Sequence, residues 1–215
     1  ALIVEDGDIE ALGVFADTIR LMAEGELLQL EHSFDPEASE QHYYRVIERK
    51  SAALLSAATE LGGILAGVTR AERRMLAEYG RELGLAFQMR DDALDYATEE
   101  TQLGKLSCAD LREGKVTMPL LFTLKRTGPD DRAAILAVLK KAVAKSSESG
   151  ESAVLELDEI AIVRTLVSRF QGIEDTNRRA QGHVTRATSA IAPFVDSPAK
   201  VALGEAAALA VSRKS

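Results

Sequence analysis

Apolar side chains recur along most of the chain with the period of an α-helix. No segment long enough to form a β-strand shows the alternation of apolar and polar residues that is typical of strands. The pattern therefore predicts an all-α protein. A first helix is predicted over 9–32 and a second over 40–67. The second contains "SAALLSAATELGGILAG", which is small or apolar on nearly every side. A helix without a polar face is normally buried all round, and we expect that here.

Capping and helix-breaking residues predict the elements that follow. Thr69 and Glu72 have the spacing of a capping box, which opens a third helix that runs to about residue 98. A polar, glycine-containing loop is expected over 99–115. The later elements predicted are a helix opened by Pro119, a helix over about 130–145, a flexible connector at 146–152, and two or three amphipathic helices, the last beginning after Ser197.

The third predicted helix carries aspartates inside an otherwise apolar run, "GLAFQMRDDALDY" (84–96). Steps of three and four residues place Gln88, Asp91 and Asp95 on one helix face. Asp92 lies off that face by about 100°. Burying unpaired carboxylates is very costly, so the group needs a positive partner. Carboxylates one turn apart, together with water and phosphate oxygens, suit Mg²⁺; the alternative is a solvated acidic helix end.

Lysines near these aspartates suggest a binding site for an anion. Lys50 precedes the small, apolar run of the second helix, where it either extends to solvent or meets an anion. The loop "GKLSCADLREGK" (104–115) adds Lys105 and Lys115. A basic loop close after a carboxylate helix is a plausible diphosphate clamp, in which metal ions and lysines neutralise the phosphates. The alternative is an ordinary polar loop.

Composition and charge narrow the class of protein. The net charge of −8 argues against nucleic-acid binding, because phosphate backbones require a basic face. No run approaches the length of a transmembrane helix. Cys108 is the single cysteine, which excludes an intrachain disulfide and suits a reducing compartment such as the cytoplasm. The three histidines, His32, His42 and His183, share no ligand spacing and are expected at the surface or as capping residues.

Four segments together resemble the trans-prenyltransferases, the all-α isoprenyl diphosphate synthases. The segments are "MAEGELLQL" (22–30), "YYRVIERKSAALLSAATELGGILAG" (43–67), "FQMRDDALDY" (87–96) and "GKLSCADLREGKVTMP" (104–119). They are similar, in the same order, to the family's GExxQ segment, its Lys-Thr helix, its second aspartate-rich motif and the segment after that motif. The sequence of these segments most resembles that of the long-chain synthases, octaprenyl to decaprenyl, which make quinone side chains.

The resemblance implies an isoprenoid-synthase helical bundle and a Mg²⁺-dependent condensation of an allylic diphosphate with isopentenyl diphosphate. It implies homodimers as well, for which an apolar helix such as 9–30 would suit the interface. It also assigns roles to residues of this chain. The metal-binding set is Asp91, Asp92 and Asp95; the catalytic set is Lys50, Gln88, Lys105 and Lys115; the substrate-binding set is Ser51, Phe87 and, as a possible polar contact, Gln29.

Some features depart from the family's pattern. Ser51 stands where the family usually has threonine, and Arg90 replaces an aliphatic residue and is expected to pair with an acid. The family's first aspartate-rich motif has no match in residues 1–24. Residues 1–215 are thus expected to form the C-terminal two-thirds of a single polyprenyl synthase domain, inactive by themselves. Alternatives are a non-catalytic subunit of a heteromeric synthase and a terpene cyclase of the same fold.

Overall fold

The protein is helical throughout the part of the chain that the computed structural model describes, namely residues 7–35, 37–97, 108–149 and 155–213, with only the backbone described at 145–149. This confirms the all-α prediction. The helices are α1 (Ile9–Glu31), α2 (Glu40–Ile47), a π-helical turn (Glu48–Ala52), α3 (Ala53–Leu65), α4 (Arg70–Ala97), α5 (Ala109–Arg112), α6 (Met118–Arg126), α7 (Pro129–Ser149), α8 (Leu157–Arg169), α9 (Gly172–Ile191) and α10 (Pro198–Ser212). None of these described helices is both long and apolar enough to cross a bilayer.

Local capping explains where several helices begin. Before α4, the Thr69 backbone N–H donates to Glu72 at 2.8 Å and the Glu72 N–H donates to the Thr69 hydroxyl at 3.3 Å, which is the reciprocal bonding of a capping box. The Ser197 hydroxyl accepts the Lys200 N–H at the start of α10. These contacts confirm both predicted starts.

Two predicted irregular segments contain helix. The predicted loop 99–115 includes the short helix α5, whose first two backbone N–H groups bond to a side chain of α4. The predicted connector 146–152 is wrong in its first part, because α7 continues to Ser149. Serine and glutamate tolerate helix well enough for an existing helix to extend through them.

The predicted second helix differs from a regular helix buried on all sides. It is divided by the π-helical turn Glu48–Ala52, in which the Ala53 N–H donates to the Glu48 carbonyl five residues back. Along α3, Leu54 is 50% exposed and Leu65 is 73% exposed. The expectation of complete burial is therefore wrong for the described part of the chain, and α3 presents one apolar side outward.

The chain divides into two compact units. The first comprises residues 1–27, 45–88 and 180–213, and the second comprises residues 28–44, 89–179 and 214–215. In the first unit, α4 packs on α9 and α10 around Tyr79, Ala86, Val184 and Ala207. The Tyr79 hydroxyl donates to the Leu203 carbonyl at 2.8 Å, so the polar end of this buried ring is satisfied.

The second unit has its own core. Leu120, Ile135, Leu139 and Val163 are completely buried there, on helices α6, α7 and α8. Tyr96, near the end of α4, packs into the same cluster. The domain prediction of residues 1–215 remains a prediction, since two local cores do not decide how a longer chain would be divided.

Glycines allow helix backbones to approach closely in the first unit. A Cβ atom at Gly80 of α4 would lie 2.3 Å from the Leu55 carbonyl oxygen, and one at Gly84 would lie 2.5 Å from the Cα atom of Ala52. A Cβ atom at Gly25 of α1 would lie 2.7 Å from the Lys50 backbone nitrogen. Both Gly25 and Gly84 thus contact the π-helical turn.

Gly80→Ala should destabilise the protein by about 1–3 kcal/mol, because the added methyl group meets a backbone carbonyl that cannot move without shifting α3. Urea denaturation monitored by circular dichroism measures the change. Gly62→Ala is the matched control, since nothing lies within 4 Å of a Cβ atom there. That control should be neutral or stabilising by up to about 1 kcal/mol through helix propensity. Equal effects of the two substitutions would contradict the close-approach explanation.

Candidate active site

A cavity of about 760 Å³ lies in the first unit, between the π-helical turn, α3, α4 and α10. Its walls are mainly apolar, with Leu54 and Leu55 from α3 and Leu83 from α4. Lys50, Ser51, Phe87 and Gln88, all predicted from the sequence as site residues, also line it; so do Gly84, Ala206, Leu209, Ala210 and Arg213. The structure thus brings together four residues that are separated by up to 38 positions in the chain.

Three polar side chains of the cavity, those of Lys50, Ser51 and Gln88, are hydrogen-bonded within the unit. The Ser51 hydroxyl donates to the Gln88 side-chain oxygen at 2.7 Å, which fixes the position of that amide. The Lys50 amine donates to the Glu26 carboxylate at 3.0 Å, and the Lys50 side chain is 31% exposed. Lys50 therefore meets an anion of its own chain, and a ligand anion would have to compete with Glu26.

Arg213 was not singled out from the sequence. Its guanidinium lies 4.0 Å from the centre of the Phe87 ring, in the geometry of a cation–π contact. Phe87 is 37% exposed. No local pattern indicates this pair, because 126 positions separate the two residues.

The aspartates of α4 belong to the second unit, and they have different surroundings. Asp92 is 1% exposed, and its carboxylate accepts a 2.5 Å hydrogen bond from the Tyr43 hydroxyl of α2. Burial and the neighbouring Asp92 charge raise the pKa of Tyr43, so the phenol stays a donor. This bond explains how Asp92 is tolerated in the core: its partner is a buried hydroxyl.

Asp95 holds the start of α5. Its carboxylate accepts the backbone N–H of Ala109 at 2.8 Å and that of Asp110 at 3.1 Å. Burial, and next the nearby Asp110 charge, raise the pKa of Asp95 to about 6, although the two N–H donors oppose the rise. Asp91 is half-buried one turn earlier, on the same side of the helix as Asp95.

Lys115 is neutralised by acids that follow α4 in the chain. Its amine lies 2.8 Å from Asp110 and 2.7 Å from Glu113. Burial works against its charge, but the hydrogen bonds to these carboxylates outweigh that effect and raise the pKa of Lys115. Lys105, the other predicted lysine of this segment, lies outside the described residues.

The carboxylates of α4 offer oxygen donors for a metal ion. Within the described ranges, no three histidine, cysteine, aspartate or glutamate side chains lie close enough to hold one ion together. Mg²⁺, however, commonly takes only one or two protein carboxylates and completes its shell with water and substrate phosphates. Asp91 and Asp95 supply such oxygens, and each oxygen of Asp95 keeps a lone pair beyond its N–H bond. The residues therefore fit Mg²⁺.

Other predictions had mixed outcomes. His183 is 3% exposed and its Nδ1 atom lies 2.7 Å from Glu82, so the expectation that it is at the surface or capping is wrong. Arg90 donates to the side-chain oxygen of Asn177 at 2.7 Å, and its expected pairing with an acid stays a prediction. Gln29 is half-buried in α1, and its role stays a prediction.

Comparison with known proteins identifies the family. A family model described as polyprenyl synthetase matches residues 1–157. The octaprenyl diphosphate synthase of Escherichia coli (strain K12) is 37% identical over 207 residues, which is 96% of this chain and 60% of that protein. The octaprenyl diphosphate synthase of Haemophilus influenzae is 34% identical over 212 residues, or 99% of this chain and 61% of that protein.

Solved structures agree. A polyprenyl synthase from Caulobacter crescentus CB15, complexed with calcium and isoprenyl diphosphate, matches with a TM-score of 0.87 and 36% identity, over 100% of this chain and 62% of that one. A decaprenyl diphosphate synthase from Rhodobacter capsulatus matches with a TM-score of 0.86 and 32% identity, over 98% of this chain and 62% of that one.

The chain thus spans about 60% of the length of the octaprenyl diphosphate synthases it matches. The similarity extends over nearly all of this chain in both sequence and backbone. By the family model, the relatives and the fold, the chain belongs to the polyprenyl synthetase family.

Proposed function

We propose that the protein carrying this chain is a long-chain trans-polyprenyl diphosphate synthase, which joins an allylic diphosphate to isopentenyl diphosphate with the help of Mg²⁺. The observation that carries the proposal is the cavity of the first unit. It combines apolar walls with a lysine, a hydroxyl and an amide. A pocket of this kind suits a ligand with a hydrocarbon tail and an anionic head group.

The names of the relatives support two parts of the proposal, a long-chain product and a divalent cation. The Escherichia coli and Haemophilus influenzae relatives are octaprenyl diphosphate synthases, and a solved relative is a decaprenyl diphosphate synthase. The Caulobacter crescentus relative holds calcium and isoprenyl diphosphate, which supports a divalent cation. From the resemblance of the sequence motifs we assign the product to a quinone side chain, and from the single cysteine we assign the protein to the cytoplasm. We also assign it a homodimeric state, for which the exposed apolar side chains of α1, Ile9, Phe15 and Ile19, would supply a helix-to-helix contact.

Each proposed residue has a physical task. Lys50 and Lys105 would hold the allylic diphosphate, and Lys115 would help to close the site. Asp91 would bind Mg²⁺ directly, and Asp95 would do so directly or through water. Asp92, bonded to Tyr43, would act mainly by fixing this part of the helix. When bound, the ion would neutralise charge on the diphosphate and so favour its departure.

Departure of the diphosphate leaves a positive charge on the allylic carbon, which the protein must stabilise and keep from water. The Gln88 side-chain oxygen, held by the Ser51 hydroxyl, would present a partial negative charge to that carbon. The apolar walls and the Phe87 ring would exclude water, which would otherwise trap the cation. The cation would then alkylate the double bond of isopentenyl diphosphate, and loss of a proton would complete the step.

Asp91→Ala in the complete protein should lower turnover by about 10²-fold or more, because a direct Mg²⁺ ligand is lost. The measurement is the rate at which radiolabelled isopentenyl diphosphate enters prenyl products, with circular dichroism to verify the fold. Glu174→Ala, an exposed acid at the start of α9, is the control and should retain full activity. Near-normal Mg²⁺-dependent synthesis by the Asp91 variant would contradict the proposed metal site. Cyclic hydrocarbons from the parent protein would favour a terpene cyclase.

Asp95→Asn should change the pH dependence of stability when divalent cations have been removed. The folded protein keeps a proton on Asp95 up to a pKa of about 6, whereas the ordinary value is 3.8. Between these values the folded state binds more protons, so its free energy of unfolding falls as the pH rises. An asparagine has no such fall. The free energy of unfolding of the variant minus that of the parent should therefore be larger at about pH 7.5 than at about pH 4. The increase should be roughly 1–2 kcal/mol after allowance for solvent screening.

Thermal and urea unfolding in EDTA at both pH values measure this effect. The loss of one acceptor for the α5 backbone changes stability at every pH, so only the difference between the two pH values reports the ionisation of Asp95. A difference between variant and parent that is the same at both pH values would contradict the raised pKa.

A further inference from the structure

The π-helical turn Glu48–Ala52 carries Lys50 and Ser51, two of the residues that line the cavity. A π-helical turn is rare and is frequently found at a functional site. On one side, Gly25 of α1 packs on the Lys50 backbone nitrogen; on another, Gly84 of α4 packs on Ala52. The first residue of the turn, Glu48, is held through its side chain.

Arg81 of α4 provides that contact. Its guanidinium donates to the Glu48 carboxylate at 2.9 Å, and it also donates to Glu78 at 2.9 Å and to Glu82 at 2.5 Å. The planar guanidinium has five N–H donors in a fixed arrangement, so one group can bridge several carboxylates. Arg81 therefore joins the π-helical turn to two acids of α4.

The position of Arg81 is fixed by the buried Glu82. The Glu82 side chain is 2% exposed, and it accepts a hydrogen bond from Arg186 of α9 at 2.7 Å and lies 2.7 Å from His183 Nδ1. Burial alone would raise the pKa of Glu82, but the hydrogen bonds from His183 and Arg186 leave it below the usual value. A buried carboxylate held from three sides is a rigid anchor, and Arg81 transmits that rigidity to Glu48.

On the opposite side of the turn, ion pairs with α1 act on its basic residues. Lys50 lies 3.0 Å from Glu26, and Arg49 lies 3.6 Å from Glu24. A diphosphate that binds Lys50 competes with Glu26 for the ammonium group, and it binds at least cost if the backbone of the turn stays in place. The Glu48–Arg81 contact keeps the turn attached to α4 while Lys50 changes partner.

We propose that Arg81 is a positioning residue for Lys50: by holding Glu48 it fixes the π-helical turn that presents Lys50 and Ser51 to the cavity. The inference rests on the proposed function, in which Lys50 binds the diphosphate of the allylic substrate. Arg81 touches no substrate. Its removal weakens binding of the allylic diphosphate and leaves the affinity for isopentenyl diphosphate unchanged.

The test measures binding of farnesyl diphosphate with Mg²⁺, in the absence of isopentenyl diphosphate, by calorimetry on the complete protein. Arg81→Gln and Glu48→Gln should each raise the dissociation constant about fivefold, the upper range for a partly exposed ion pair. Because the two residues act through one contact, the double variant should be no weaker than either single variant. Arg81→Lys keeps the charge but replaces the planar guanidinium with a single ammonium nitrogen, and it should recover part of the affinity.

Arg73→Gln is the matched control. Arg73 lies on the same helix and pairs with Glu10 at 2.7 Å and Glu60 at 3.5 Å, so its loss also removes ion pairs but leaves the π-helical turn alone. Both arginine variants should lose thermal stability, and only Arg81→Gln should change farnesyl diphosphate binding. In steady-state assays, Arg81→Gln should raise the KM for the allylic substrate and leave the KM for isopentenyl diphosphate unchanged.

Lys50→Ala separates this inference from the proposed function. If the parent fails to bind farnesyl diphosphate, or if Lys50→Ala binds it as well as the parent, the assignment of Lys50 fails and the inference fails with it. If Lys50→Ala binds weakly while Arg81→Gln and Glu48→Gln bind like the parent, Arg81 has no positioning role. Additive losses in the double variant would also overturn it. Should Arg81→Gln not fold, Glu48→Gln alone decides, because it removes the charge of Glu48 and with it the same ion pair.

Discussion

The need to hydrogen-bond every buried charge constrains the parts of this molecule that matter most. Asp92 is buried because Tyr43 donates to it, and Glu82 is buried because His183 and Arg186 contact it. An unpaired carboxylate in either place would cost several kcal/mol, a large part of the stability of a domain. Each of these acids therefore fixes the helix that supplies its partner, and the helix positions in each unit follow from these contacts.

Close backbone approach is the second constraint, and it places the polar residues of the cavity. Gly25 and Gly84 let α1 and α4 reach the π-helical turn, so Lys50 and Ser51 lie where Leu54, Phe87 and Gln88 also face. The hydrogen bond from Ser51 to Gln88 depends on this approach. The donor in this bond is a hydroxyl, a group that serine and threonine share.

Much of the fold could be predicted from the chain because its signals are local. Thr69 with Glu72 and Ser197 with Pro198 mark helix starts through bonds within one turn. The spacing of Gln88, Asp91 and Asp95 required only a regular helix. By contrast, the extension of α7 to Ser149 and the short helix α5 were missed, since Asp95 supplies acceptors for α5 from a helix 14 residues earlier. Helix propensity depends on the residues of the segment itself, so it does not reveal such a distant partner.

The sequence by itself determined the helical class, the main helix starts, and the residue types able to bind a diphosphate and Mg²⁺, because period, capping and motif spacing are properties of neighbouring residues. The partners of those residues were decided by tertiary structure. Contacts between separate helices supply these partners: Tyr43 for Asp92, Glu26 for Lys50, Arg81 for Glu48 and Phe87 for Arg213. Burial of His183 was decided in the same way. Such pairings depend on how helices pack, and packing is fixed only when all faces are buried together.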